Sequence, residues 1–130
     1  MSQFRSDVSK FVRSCDIRME GAFKESVQRV IDQAEKTRPK GGNMPVDTGY
    51  LRNSGMAEIG RLPSGEPSPG NQAESTLKIA KAKPGEAIYY GWTAAYARAM
   101  EHRYGFVRLA VSKWQRIVKE VAAEMKMRTK

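Results

Sequence analysis

Apolar side chains recur every three or four positions over the first part of the chain: Val8, Val12, Cys15, Met19, Ala22, Phe23, Val27, Val30, Ile31 and Ala34. That spacing keeps them on one face of an α-helix and predicts a single long helix from about Ser2 to about Thr37. Phe4 and Phe11 extend the same side, and Lys10, Arg13, Asp16, Glu20, Lys24, Glu25 and Asp32 supply a solvated face. Gly21 is a point where such a helix can bend or divide. The stop is Pro39, which disfavours helix at Arg38, followed by Lys40-Gly41-Gly42-Asn43. A helix of this length in a small protein is expected to lie across a sheet or pack on a partner helix.

The pattern then changes. In Asp47-Thr48-Gly49-Tyr50-Leu51-Arg52, Asp47 or Thr48 is suited to cap a short helical turn, with Leu51 inward and Arg52 outward. Met56 to Leu62 reads as a first strand, weakened by Gly55 and Gly60. The stretch Pro63-Ser64-Gly65-Glu66-Pro67-Ser68-Pro69-Gly70-Asn71 excludes regular structure and predicts an exposed, mobile loop at the tip of an enlarged hairpin. Ser75–Ala82 alternates at Leu77, Lys78 and Ile79 and predicts a half-buried strand. Pro84-Gly85 turns the chain, and Ala87–Thr93 is the most β-prone run, suited to a central strand.

Ala94–Arg103 reads as a short helix ending at Gly105. From Phe106 a last helix is expected nearly to the end, with Val107, Ala110, Trp114, Ile117, Val118, Val121 and Met125 on one stripe. The expected fold is a single α+β domain over 1–130, with a long amino-terminal helix (1–38) and a carboxyl-terminal one packed on a small antiparallel sheet. The sheet region spans 44–93 with its enlarged loop at 63–71, and the short and terminal helices span 94–130.

A chain of 130 residues suits one domain, and 40% apolar with 28% charged residues suits a globular one. No apolar run approaches the roughly 20 residues that span a bilayer. The polar start, Met1-Ser2-Gln3-Phe4-Arg5, lacks a secretion signal, so a cytoplasmic site of synthesis and use, with no membrane contact, is expected. Cys15 is alone and His102 is the one histidine, which leaves neither a disulfide nor a cysteine-pair metal motif within the chain. The net charge is +9, concentrated late: residues 106–130 hold seven Lys/Arg against two Asp/Glu. Such a bias attracts nucleic acid or an acidic protein surface and does not choose between them.

Three local patterns stand in order: Pro45-Val46-Asp47-Thr48-Gly49-Tyr50-Leu51-Arg52-Asn53-Ser54, then Tyr96-Ala97-Arg98-Ala99-Met100-Glu101-His102-Arg103-Tyr104-Gly105, then Phe106-Val107-Arg108-Leu109-Ala110. Between a long first helix and a terminal one, they resemble a family of small tailed-bacteriophage proteins described as neck, minor tail or tail-completion components. The family's pattern is V-D-T-G-x-L-R-x-S, a strand pair, Y-A-x-x-x-E-x-G and P-F-L-R-P-A. Here the second motif carries His102-Arg103-Tyr104 between Glu101 and Gly105, and the third lacks both prolines. The resemblance implies a virion protein at the head–tail junction or upper tail, assembled in the host cytoplasm as a homo-oligomeric ring, six-fold in that family. Its implied partners are connector and tail proteins, with DNA passing through the channel. Asp47, Thr48, Gly49, Leu51, Arg52, Tyr96, Glu101, Gly105 and Phe106 then serve as packing devices, Gly49 permitting a tight turn and Tyr96 and Phe106 pinning the short segment to the sheet.

Sharper chemistry finds less support. Asp47-Thr48-Gly49 is the signature triplet of dimeric aspartic proteases, but here it leads into a polar helical turn, and two long helices have no place in that small β fold. Glu101-His102 offers a metal or proton relay only one histidine, with no second ligand pattern. No phosphate-cradling glycine loop or nucleophile elbow is present. The expectation is therefore a non-enzymatic protein without cofactor or metal, and the rival is a small basic DNA-binding protein. Candidate interface residues are Pro63, Gly65, Glu66, Pro67 and Pro69 in the loop, and Arg108, Lys113, Arg116 and Lys119 on the basic terminal helix. The face of the first helix left over by the core is a third candidate.

Overall fold

In the computed structural model, which describes residues 2–46, 49–68 and 70–128, the chain is an α+β fold dominated by helix. Helix α1 runs Ser2–Ala34 without a break at Gly21, about 50 Å at 1.5 Å per residue. A 3-10 turn at Arg38–Lys40 follows, then α2 (Tyr50–Asn53), β1 (Gly55–Ile59), α3 (Asn71–Lys81), β2 (Ile88–Trp92), α4 (Ala97–Tyr104), α5 (Phe106–Val111) and α6 (Trp114–Arg128). The sheet is a two-stranded antiparallel ribbon in which Gly55 pairs with Trp92 and Ile59 with Ile88. Such a ribbon is marginal alone, and here helices cover it: α3 packs on β1, and α1 packs on α3, α5 and α6.

Two clusters make the core. Ile31, Ala57 and Ile79 join α1, β1 and α3, with Val27, Ile88 and Tyr90 against them. Met44, Leu51, Ala94, Ala97 and Phe106 form the second, flanked by Trp92, Met100 and Val107. Leu51 points inward as its spacing predicts, and Phe106, 2% exposed, meets the Trp92 ring edge-on at 5.2 Å. Met44 is fully buried because the chain after α1 folds back on itself, Arg38 N–H donating to the Met44 carbonyl and Met44 N–H to that of Lys36.

Three expectations are corrected. Of Ser75–Ala82, expected as a strand, all but the closing Ala82 belongs to α3. Ser75 and Ile79, four apart, are the buried pair, whereas Leu77, which alternation placed beside Ile79, is 58% exposed. Glu74 in the first turn and Lys78 and Lys81 in the last suit the helix dipole, and Lys78 reaches back to Glu74 at 3.7 Å. The 63–71 loop is therefore not a hairpin tip: it joins β1 to α3, and β2, expected as a central strand, is one of only two among the described residues. Finally, the expected last helix is two. At Ser112 the hydroxyl donates to the Leu109 carbonyl at 2.6 Å, and the Lys113 N–H bonds three residues back, to Ala110, so α5 closes before α6 opens.

Candidate functional site

The first motif places Gly49 at φ +81° as the residue before α2, the left-handed conformation that the expected tight turn needs. Asp47 and Thr48, expected to cap this turn, lie outside the described residues, as does Pro69. Arg52 is exposed as expected, yet its Nε donates to the Glu35 carbonyl at 3.3 Å, tying α2 to the end of α1. Tyr96 departs from its expected place on the sheet: it is exposed and stacks on Tyr50, centroids 6.0 Å apart. The two aromatics thus clip α2 to the start of α4, linking the first motif to the second.

Glu101 is the pivot of the second and third motifs. Gly105 closes α4 and opens α5 at φ +66°, and the carboxylate of Glu101 accepts from the Val107 N–H at 2.6 Å and the Arg108 N–H at 3.1 Å. A carboxylate there satisfies donors that the first turn of a helix leaves unpaired. Arg108 closes the loop by donating from Nη1 to the Glu101 carbonyl at 3.2 Å. The spacing from Glu101 to Gly105 and Phe106 is thus that of a helix–helix corner whose acid caps the second helix. His102 is exposed beside it, and among the described residues no group of three or more His, Cys, Asp or Glu is placed to hold a metal ion.

One site escaped sequence reasoning. Glu35 is 5% exposed and lies beside a polar cavity of about 310 Å³ lined by Gln28, Asp32, Arg52, Gln72, Ser75 and Tyr90 among others. Tyr90 OH donates to one carboxylate oxygen at 3.2 Å and Trp92 Nε1 to the other at 3.3 Å. Burial pushes the Glu35 carboxyl above its ordinary value, opposed by the nearby Gln72 amide, by the hydrogen bonds from Trp92 and Tyr90 and by the charge of Arg52. Burial first, then the charge and hydrogen bond of Glu35, push the Tyr90 hydroxyl up. Gly55 is required below: a Cβ there would stand 2.5 Å from Glu35 Oε2 and 2.8 Å from Trp92 Nε1. With both oxygens engaged by β2, the carboxylate ties α1 to the sheet. The sequence hid it, because Glu35 ends a helix whose other acids are solvated.

The candidate interface residues divide. The loop is less free than its composition implies: Ser68 N–H and Asn71 Nδ2 both donate to the Asn53 carbonyl, at 3.1 and 3.0 Å. Pro63 and Pro67 are half-buried, Gly65 faces Met56, and Glu66 is exposed. Arg108, Arg116 and Lys119 are exposed and Lys113 half-buried, with Arg116 near Glu120 at 3.8 Å. Trp114 sits on the apolar side of α6, edge-on to Phe23 at 6.5 Å.

The barest apolar surface is on α1. Its far half packs on α6, where Arg29 forms an ion pair with Glu124 and a Cβ on Gly21 would reach the Met125 methyl at 3.2 Å. Residues 5–13 are all exposed, and Val8, Phe11 (70%), Val12, Met19 (70%) and Phe23 present apolar surface to solvent. Among the described residues no helix is long and apolar enough to cross a membrane. Compared with known proteins, the chain matches no family model, no curated protein and no solved structure.

Proposed function

We propose that the chain is a non-enzymatic structural subunit of a tailed phage or phage-like particle, joining head to tail as part of a ring around the DNA channel. The observation that carries this reading is the bare apolar stripe on the amino-terminal half of α1. Clustered exposed apolar side chains mark a surface that works covered by protein. The three ordered motifs add what kind of assembly it is, through their resemblance to neck and tail-completion proteins. Glu101 capping α5, Tyr50 stacked on Tyr96, and Leu51 and Phe106 in one cluster support reading those motifs as devices that hold a shape. The 63–71 loop and the basic α6 face are further surfaces for connector and tail partners. The test is production of particles from the encoding element with this gene deleted. DNA-filled heads and separate tails, rejoined when the chain is supplied, are expected; joined, infectious particles without it would contradict the reading.

A second reading is a small basic DNA-binding protein, favoured by the exposed Arg108, Arg116 and Lys119. Contacts to phosphates would give duplex affinity falling steeply with salt. Trp114 is half-buried and edge-on to Phe23, which disfavours stacking on bases and places this reading second.

A further inference from the structure

We propose that the amino-terminal half of α1 pairs antiparallel with the same segment of a second copy of the chain, about a two-fold axis near Val12. This deepens the assembly reading by naming the partner of one surface, and rests on it only in taking the bare stripe to be covered. Val8, Phe11, Val12, Cys15 and Met19 fall within an arc of about 100° on an α-helix. Ile17, also exposed, points the opposite way. The stripe is bare because α6, with 15 residues against the 33 of α1, covers only the far half.

Charge complementarity points to a second copy as the partner, and the docked α6 sets the direction. Arg5 and Asp16 lie along one edge of the stripe, with Glu20 just behind; Asp7 and Arg18 lie along the other. A parallel pair would bring opposite edges together, Arg5 beside Asp7 and Asp16 beside Arg18 of the second copy. It would also lay both far halves of α1 side by side, where α6 is already docked. An antiparallel pair centred near Val12 instead sets Arg5 beside Asp16 and Glu20 of the second copy and Asp7 beside its Arg18, and the two-fold axis repeats both contacts. In the same register Val8 faces Cys15 of the second copy and Val12 meets its own copy at the axis. The contact is centred ahead of Gly21, and only its end, at Arg18 and Met19, adjoins Ala122, Met125 and Lys126 of α6. Being isologous, it closes on two copies. It pairs free subunits or joins two rings, and a single ring needs a separate contact. A single helix-on-helix contact is small beside a standard interface of ~800 Å² per partner, and association on the order of micromolar is expected.

The test is mild oxidation of the full chain carrying Val8→Cys with Cys15 retained, read on non-reducing gels beside light-scattering mass. A covalent dimer is expected, with at least tenfold less in the wild type, whose two Cys15 stand about 9 Å apart along the paired helices. Ile17→Cys in a Cys15→Ser background is the random-collision control. Phe11→Glu, at an exposed position, is expected to keep its helical spectrum and return the mass to 14.6 kDa. A wild-type monomer throughout the micromolar range would overturn the pairing. So would cross-linking of Val8→Cys no greater than the Ile17 control, even in a larger assembly; that last result would leave the head–tail role to the gene deletion.

Discussion

Glu35 sits where α1, α2 and β2 meet, its carboxylate held by Tyr90 and Trp92 and its carbonyl by Arg52. Its folded-state value is raised above the ordinary 4.5 by burial, so the folded protein holds this proton more tightly than the unfolded chain. The stabilisation from that proton is complete below the ordinary value and is lost as pH rises through the raised one. Glu58 runs the other way: the Lys78 hydrogen bond holds its value down, so its contribution is present above the ordinary value and lost in acid. The two windows are separate. Urea unfolding across pH is expected to show stability declining above pH 4.5 as Glu35 ionises, with Glu35→Gln flattening that decline and leaving the acid limb in place. An unchanged slope in the variant would mean that Glu35 is not buried as described.

Among the elements, α1, the turn at α2 and the short α4 ending at Gly105 were legible, and α3 and the break between α5 and α6 were not. α1 and α6 announce themselves by apolar spacing, whereas α3 hides because Leu77-Lys78-Ile79 alternates locally. The three-residue window outweighed Ser75, Ile79 and the Glu74–Lys78 pair, which carry the helical period. The break between α5 and α6 was legible only in Ser112, and a single serine is too weak a signal beside a continuous apolar stripe. Glu101 shows the reverse: its motif position was read without its chemistry, which is capping across a corner. Glu101→Ala is expected to destabilise the fold by about 1 kcal/mol through loss of two hydrogen bonds at the start of α5. Glu101→Gln, keeping an acceptor, should recover part of it; chemical denaturation of both variants checks this, and equal losses would remove the capping account.

At the scale of the whole molecule, the α+β class and the apolar helix face were readable from pattern alone, because burial follows periodicity. What pattern could not give was which half of that face the chain covers for itself. That depends on where α6 docks, beside Gly21 and Phe23, through contacts with Met125 and Trp114 far along the sequence. On the proposed reading, the uncovered half is the surface through which the chain joins an assembly. Mass spectrometric copy counting on purified particles, with capsids and tails separated, tests the central claim most directly. The account predicts the chain in joined particles at roughly six copies each, or roughly twelve if two rings pair. Joined particles that lack the chain altogether, made by cells that express it, would contradict the account.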